Sequence, residues 1–151
     1  MAPYNPWADL GSRPHICCDS HTVELPTGVG WWLPDVMGIV LDRRLTRVER
    51  RCALAHELQH VDRGDVQVFA IGPDGPRLAQ RQERRADREA ARRLVEVQAL
   101  ALAMRVHPHD PAAVAEELDV TVDVLRCRLD TLRPAERGLL VLDLAEVEHA
   151  A

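Results

Sequence analysis

The stretch from Thr46 to Val61, TRVERRCALAHELQHV, constrains the fold more than any other, because it demands a helix with a chemically loaded face. Thr46 with Glu49 three residues on forms a capping box, whose reciprocal side-chain bonds satisfy two amides at a helix N-terminus. Val48, Cys52 and Ala55 make one apolar stripe, and Leu54, Leu58 and Val61 a neighbouring one, enough to bury the helix against a sheet. Gly64 is placed to end it as a left-handed cap. On such a helix His56 and His60, four residues apart, stand one above the other with Glu57 beside the first.

That spacing suits a metal. A hydrolytic zinc keeps three protein ligands and leaves a fourth position for water, whose pKa falls to roughly 7, so a nearby carboxylate can take its proton. Glu57 is placed for this general-base role, and His56 and His60 supply two ligands. Two histidines on a solvated helix face are the plainer alternative, and the third ligand decides between them. The HExxHxxGxxH and HExxHxxGxxD patterns need Gly at 63 and a ligand at 66, where this chain has Arg63 and Val66. The third ligand must come from another element. Residues 78–106 read as one long amphipathic helix, a break, and a second helix. Along the first, Ala79, Glu83, Ala86, Ala90 and Leu94 form an inward stripe, while Arg81, Arg84, Arg85, Arg88 and Arg92 point to water. A carboxylate on an inner face is costly to desolvate unless a cation meets it. Glu83 is therefore expected as the third zinc ligand, and Asp87, one turn on, as the acceptor that fixes the tautomer of a ligating histidine. The competing reading pairs both acids with neighbouring arginines on a solvated face.

The flanks are read more coarsely. Residues 1–13 are proline-rich and irregular, with Tyr4 and Trp7 as anchors. HICCD and HTVEL are short strand candidates, and VGWWL and MGIVLD flank Pro34-Asp35-Val36 as a hairpin, giving a small antiparallel sheet before the helix. VQVFAI, 66–71, is a further strand candidate. His15, Cys17, Asp19 and His21 alternate on one strand face, which leaves a second metal open against the usual role of half-buried cysteines as small core residues. The four cysteines show no CxxC pair, so free thiols are expected. Beyond residue 110, Asp110-Pro111 starts a helix, and the run to Leu132 has the rhythm of a helix-turn-helix with Thr121 as the second cap. Its second helix offers Arg126, Arg128 and Arg133 against Asp119, Asp123 and Asp130 in a chain of net charge -5, so nucleic acid is not expected as a partner and a packing or docking role is. The tail from Pro134 reads as a last helix or a contact surface.

With 151 residues the chain suits one body, with 1–106 as the metal-bearing domain and 107–151 as a helical region packed on it. No long apolar run or leader pattern is visible, so no membrane and a cytoplasmic location are expected.

YNPWADL, GIVLD, RVERRCALAHELQH and QERRADREAARRLV together resemble the ImmA/IrrE family of bacterial and phage zinc metallopeptidases, over most of the chain. HExxH is shared by many peptidases; ERRCALAHE upstream and ExxAD downstream make the resemblance specific. It implies an α+β, gluzincin-like fold, with the small antiparallel sheet packed on zincin active-site helices and a helix-turn-helix-like C-terminal region. It further implies His56, His60 and Glu83 as metal ligands, Glu57 as general base, Asp87 behind a ligand, Zn2+ as cofactor, and a transcriptional repressor as protein substrate. For an oxyanion-stabilising role the candidates are Tyr4, His107 and His109. The functional expectation is a zinc endopeptidase, against the alternative of a non-enzymatic protein- or DNA-binding regulator with a structural metal.

Overall fold

A computed structural model describes residues 3–66 and 74–148, and side chains up to residue 141. The strand candidate VQVFAI lies, but for Val66, outside the described residues.

Asn5 and Pro6 start a helix that the proline-rich sequence concealed. The Asn5 side chain accepts from the amides of Trp7 and Ala8, and Pro6 takes the first helical turn, where a missing N–H costs nothing. This helix, α1 (Pro6–Gly11), buries Pro6, and Tyr4 packs on the helical core. Trp7 is 40% exposed, so anchoring falls to Tyr4 and Pro6 and not to Trp7.

Among the described residues the sheet has three strands, β1 (Cys17–Asp19), β2 (Gly30–Leu33) and β3 (Gly38–Leu41), in the order β1-β3-β2. It is mixed and not antiparallel as expected: β2 and β3 form the hairpin around Pro34–Val36, but β1 runs parallel to β3. The hairpin occupies one edge of β3, so β1 takes the other, and the chain between them has only to step across one end of the sheet. Asp42 holds that crossing, accepting from the Leu25 amide at 2.8 Å while its own amide donates to the Val29 carbonyl at 3.0 Å. HTVEL is consequently a strapped loop and not a strand.

Helix α2 (Arg47–Arg63) keeps its capping box and its left-handed Gly64. Its burial exceeds what two apolar stripes require. Ala53, Leu54 and Leu58 pack on Trp32, Ile39 and Leu41 of the sheet, while Cys52 and Ala55 face a helical layer. The helix is thus sandwiched, and each fully buried leucine contributes about 1.5–3 kcal/mol.

The helical layer comprises α3 (Gly75–Leu94), α4 (Val97–Val106), α5 (Pro111–Glu117), α6 (Val122–Asp130) and α7 (Pro134–Glu148). The break between α3 and α4 is real: Val95 is extended and fully buried. Asp110 caps α5 and Thr121 caps α6, as their positions imply. One apolar cluster joins Cys52, Ala90, Leu100, Val114, Leu125 and Leu140, so α2 and every later helix share a core. The architecture is α+β, and no described helix is long and apolar enough to cross a membrane.

Candidate metal centre

His56 and His60 sit on the middle of α2, and Glu83 on α3, which packs beside it. His56 Nε2 lies 3.1 Å from His60 Nε2 and 3.2 Å from Glu83 Oε2, and His60 Nε2 lies 3.5 Å from Glu83 Oε1. Ligands bound tetrahedrally at about 2.0–2.1 Å stand roughly 3.3 Å apart, so the spacing is that of one shared ion. Among the described residues this is the one group of His, Cys, Asp and Glu side chains whose donor atoms converge closely enough to hold a metal ion.

The tautomers make the same point. His56 Nδ1 meets Asp87 Oδ1 at 2.8 Å, and His60 Nδ1 meets Asp65 Oδ2 at 2.9 Å. Each carboxylate draws the ring proton to Nδ1, which leaves two Nε2 lone pairs and a carboxylate aimed at one point. Such a set repels itself unless a cation joins it. Burial alone pulls the His56 imidazole down, yet hydrogen bonds to Asp87 and Glu83, with the charge of Glu57, outweigh it and push its pKa up to about 10. The His56 contact in turn holds Glu83 below the usual glutamate range, against the opposing effect of burial. A potential that binds a proton this firmly also favours a dication.

Glu83 is not buried as the stripe pattern suggests: its side chain is 60% exposed, at the mouth of an open cleft, while Ala86, Ala90 and Leu94 carry the inward face. Glu57 is the buried acid, at 4% exposure. Burial raises its pKa, the two histidines oppose the rise, and the Trp32 amide donates to its carboxylate. It packs against Gly30, where a Cβ would lie 2.8 Å from Glu57 Oε1. A cavity of about 270 Å³, lined by Gly30, Trp31, Trp32, Glu57, His60 and Glu83, opens on one side of the group. A second, of about 450 Å³, holds His56, Glu57 and Glu83 with Val29 and Gly30 on the other.

Asp65 and Gly30 escaped the sequence reading. Asp65 follows the left-handed Gly64, which reverses the chain so that the Asp65 amide donates to the His60 carbonyl at 3.0 Å and its carboxylate returns to the ring. A glycine inside a strand is itself a sign of close approach. The three oxyanion candidates lie elsewhere. Tyr4 donates its hydroxyl to Asp9 at 2.7 Å, and His107 and His109 line a separate hollow with Met104 and Leu125. His15, Cys17 and His21 are exposed and Asp19 binds Thr22 and the His21 amide, so among the described residues this strand gathers no metal group; all four cysteines are free. Arg128, one of the arginines that a nucleic acid would have to meet, is 1% exposed and paired with Glu136 at 2.7 Å.

The peptidase-family model described as IrrE N-terminal-like domain matches residues 23–130, more than half of the chain and the whole of the group just described. No curated protein and no solved structure gives a match.

Proposed function

The chain belongs to the IrrE N-terminal-like family of peptidases, and on that premise we propose that it is a zinc-dependent endopeptidase whose substrate is a transcriptional repressor. The observation that carries this reading is the convergence of His56 Nε2, His60 Nε2 and the Glu83 carboxylate in an open cleft beside a buried Glu57. His56, His60 and Glu83 would hold the zinc, with Asp87 and Asp65 fixing the two imidazoles. Bound there, zinc supplies Lewis acidity that polarises a peptide carbonyl and acidifies water.

The remaining work belongs to the chain. Glu57, its pKa raised by burial, is matched to taking a proton from water and passing it to the departing amine. Gly30 lets the strand β2 approach so closely that the Trp32 amide orients Glu57. Among the described residues β2 has β3 as its one strand neighbour, and it borders both cavities, so an extended peptide can add to its other side. The open cleft and the exposed Glu83 disfavour a purely structural metal, which is normally closed by protein. In the helix-turn-helix-like pair α5–α6, the Arg128–Glu136 and Arg126–Asp123 pairs favour packing or docking over nucleic-acid contact.

The test is zinc-loaded protein against a cognate repressor and an unstructured protein, with Glu57→Gln alongside. Cleavage should vanish in Glu57→Gln while zinc content stays the same, and should vanish in the native sequence on chelation and return with zinc. Undiminished cleavage by Glu57→Gln removes Glu57 as the base.

A further inference from the structure

The metal centre does not end the groove. A cleft of about 660 Å³ continues between α3 and α6, lined by Arg81, Arg84, Arg85, Arg88 and Arg126, and it shares Asp87 and Asp123 with the cavity that contains His56 and Glu57. These arginines are poorly neutralised. Arg84 donates to the neutral Gln80 and Arg88 to the Arg84 carbonyl, and among the described residues Arg126 alone of the five meets a carboxylate, that of Asp123, which is itself exposed. Among the described residues Arg81 and Arg85 have no ion pair. A chain of net charge -5 thus gathers five of its 19 arginines, against Asp87, Asp123 and Asp130, in one concave surface that adjoins the metal group.

We propose that this cleft receives an acidic stretch of the polypeptide substrate, so that the enzyme selects bonds followed by Asp or Glu. The inference rests on the peptidase reading above. Its direction comes from β2: Trp31 and Trp32 border the cavity on one side of the metal group, Gly30 borders both cavities, and Val29 borders the side that leads to the arginines. Antiparallel pairs outnumber parallel ones roughly two- to three-fold, and a peptide added in that sense to β2 runs from Trp32 towards Val29, which carries the residues C-terminal to the cut bond into the cleft. Guanidinium forks match carboxylates in planar pairs, and several acidic side chains fit this volume. A nucleic acid suits it less, because Asp87, Asp123 and Asp130 share the walls and an unbroken run of phosphates would meet them.

Two arms test the proposal. In the first, zinc-loaded protein cuts a mixture of unstructured peptides and the cut sites are read by mass spectrometry. Asp and Glu should be enriched just after the bond, and the triple change Arg81→Glu, Arg84→Glu, Arg85→Glu should abolish or invert that enrichment. In the second, zinc-loaded Glu57→Gln binds a fluorescent Asp/Glu-rich peptide, its Asn/Gln counterpart and a short DNA duplex. The acidic peptide should bind about tenfold tighter than its neutral counterpart, an advantage that shrinks between about 50 and about 300 mM salt. The triple change should erase it, and Arg105→Glu on α4 should keep it. Cleavage without acidic enrichment, an acidic advantage that survives the triple change, or a duplex that binds more tightly than the acidic peptide overturns the proposal. Absence of any cleavage instead defeats the peptidase reading, and the binding arm then decides alone whether the cleft takes acidic peptide.

Discussion

Replacing Gly30 by alanine should disable the site without touching a metal ligand. The new Cβ would stand 2.8 Å from Glu57 Oε1, 3.0 Å from Glu57 Cγ and 2.9 Å from Leu41 Cδ2. Gly30 has no positive φ, so the effect is one of space and not of backbone. Leu41 is 0% exposed and packed in the core, so the Glu57 side chain, which borders both cavities, is the one that must swing away from its place beside the histidines. Overpacking of this kind costs about 1–3 kcal/mol, and each kcal/mol lowers the unfolding midpoint by roughly 2–4 °C in a chain of this size. The chemistry should suffer more, since displacing a reacting group by about 1 Å costs on the order of 100-fold in rate. The assay pairs cleavage rates with zinc content and thermal unfolding. Zinc content should hold, because the three atoms nearest the Cβ belong to Glu57 and Leu41 and to none of His56, His60 and Glu83. A cycle with Glu57→Ala isolates the cause: with Glu57 shortened, two of the three contacts vanish, and the stability cost of Gly30→Ala should fall by about 1 kcal/mol or more. Full activity, or equal costs in both backgrounds, refutes the reasoning.

Shortening Asp65 or Asp87 to alanine should weaken zinc binding by about 10–100-fold in a chelator competition, because each fixes one ligating imidazole; unchanged affinity in both would contradict those roles. Glu136→Gln should cost about 3 kcal/mol at neutral pH in urea unfolding, because it leaves the buried Arg128 without its counter-charge. Arg128 holds the Glu136 pKa down from the ordinary 4.5 to about 2, so the stabilisation is present above 4.5 and fades as pH falls towards 2. The gap between the two proteins should therefore close in acid, and a gap independent of pH would exclude the ion pair as its source.

Local rules carried much of this structure into the sequence. The capping box at Thr46 and the cap at Asp110 follow from side chains that satisfy nearby backbone groups, and the Gly64 cap from a left-handed backbone that glycine adopts freely, all of which are written within a few residues. What escaped depends on partners distant in the chain. The parallel pairing of β1 is settled by which edge of β3 the hairpin leaves free, and the all-round burial of α2 by two layers that no local period records. His56 and His60 are legible because helical spacing alone juxtaposes them. Glu83 was legible for a reason the structure revises, since it meets the histidines from an exposed position at the cleft mouth and not from a desolvated one. The Arg128–Glu136 pair shows the opposite failure, where a residue type that normally faces water is buried by one partner on the next helix.

X-ray absorption at the zinc edge of the loaded protein tests the central claim most directly. Two imidazole nitrogens, one carboxylate and one light solvent oxygen at about 2.0–2.2 Å are expected, with the solvent oxygen exchangeable for a small competing ligand. The carboxylate signature should disappear in Glu83→Ala. A shell closed by four protein ligands, a sulfur neighbour at about 2.3 Å, or no stoichiometric zinc would contradict an open hydrolytic centre on His56, His60 and Glu83.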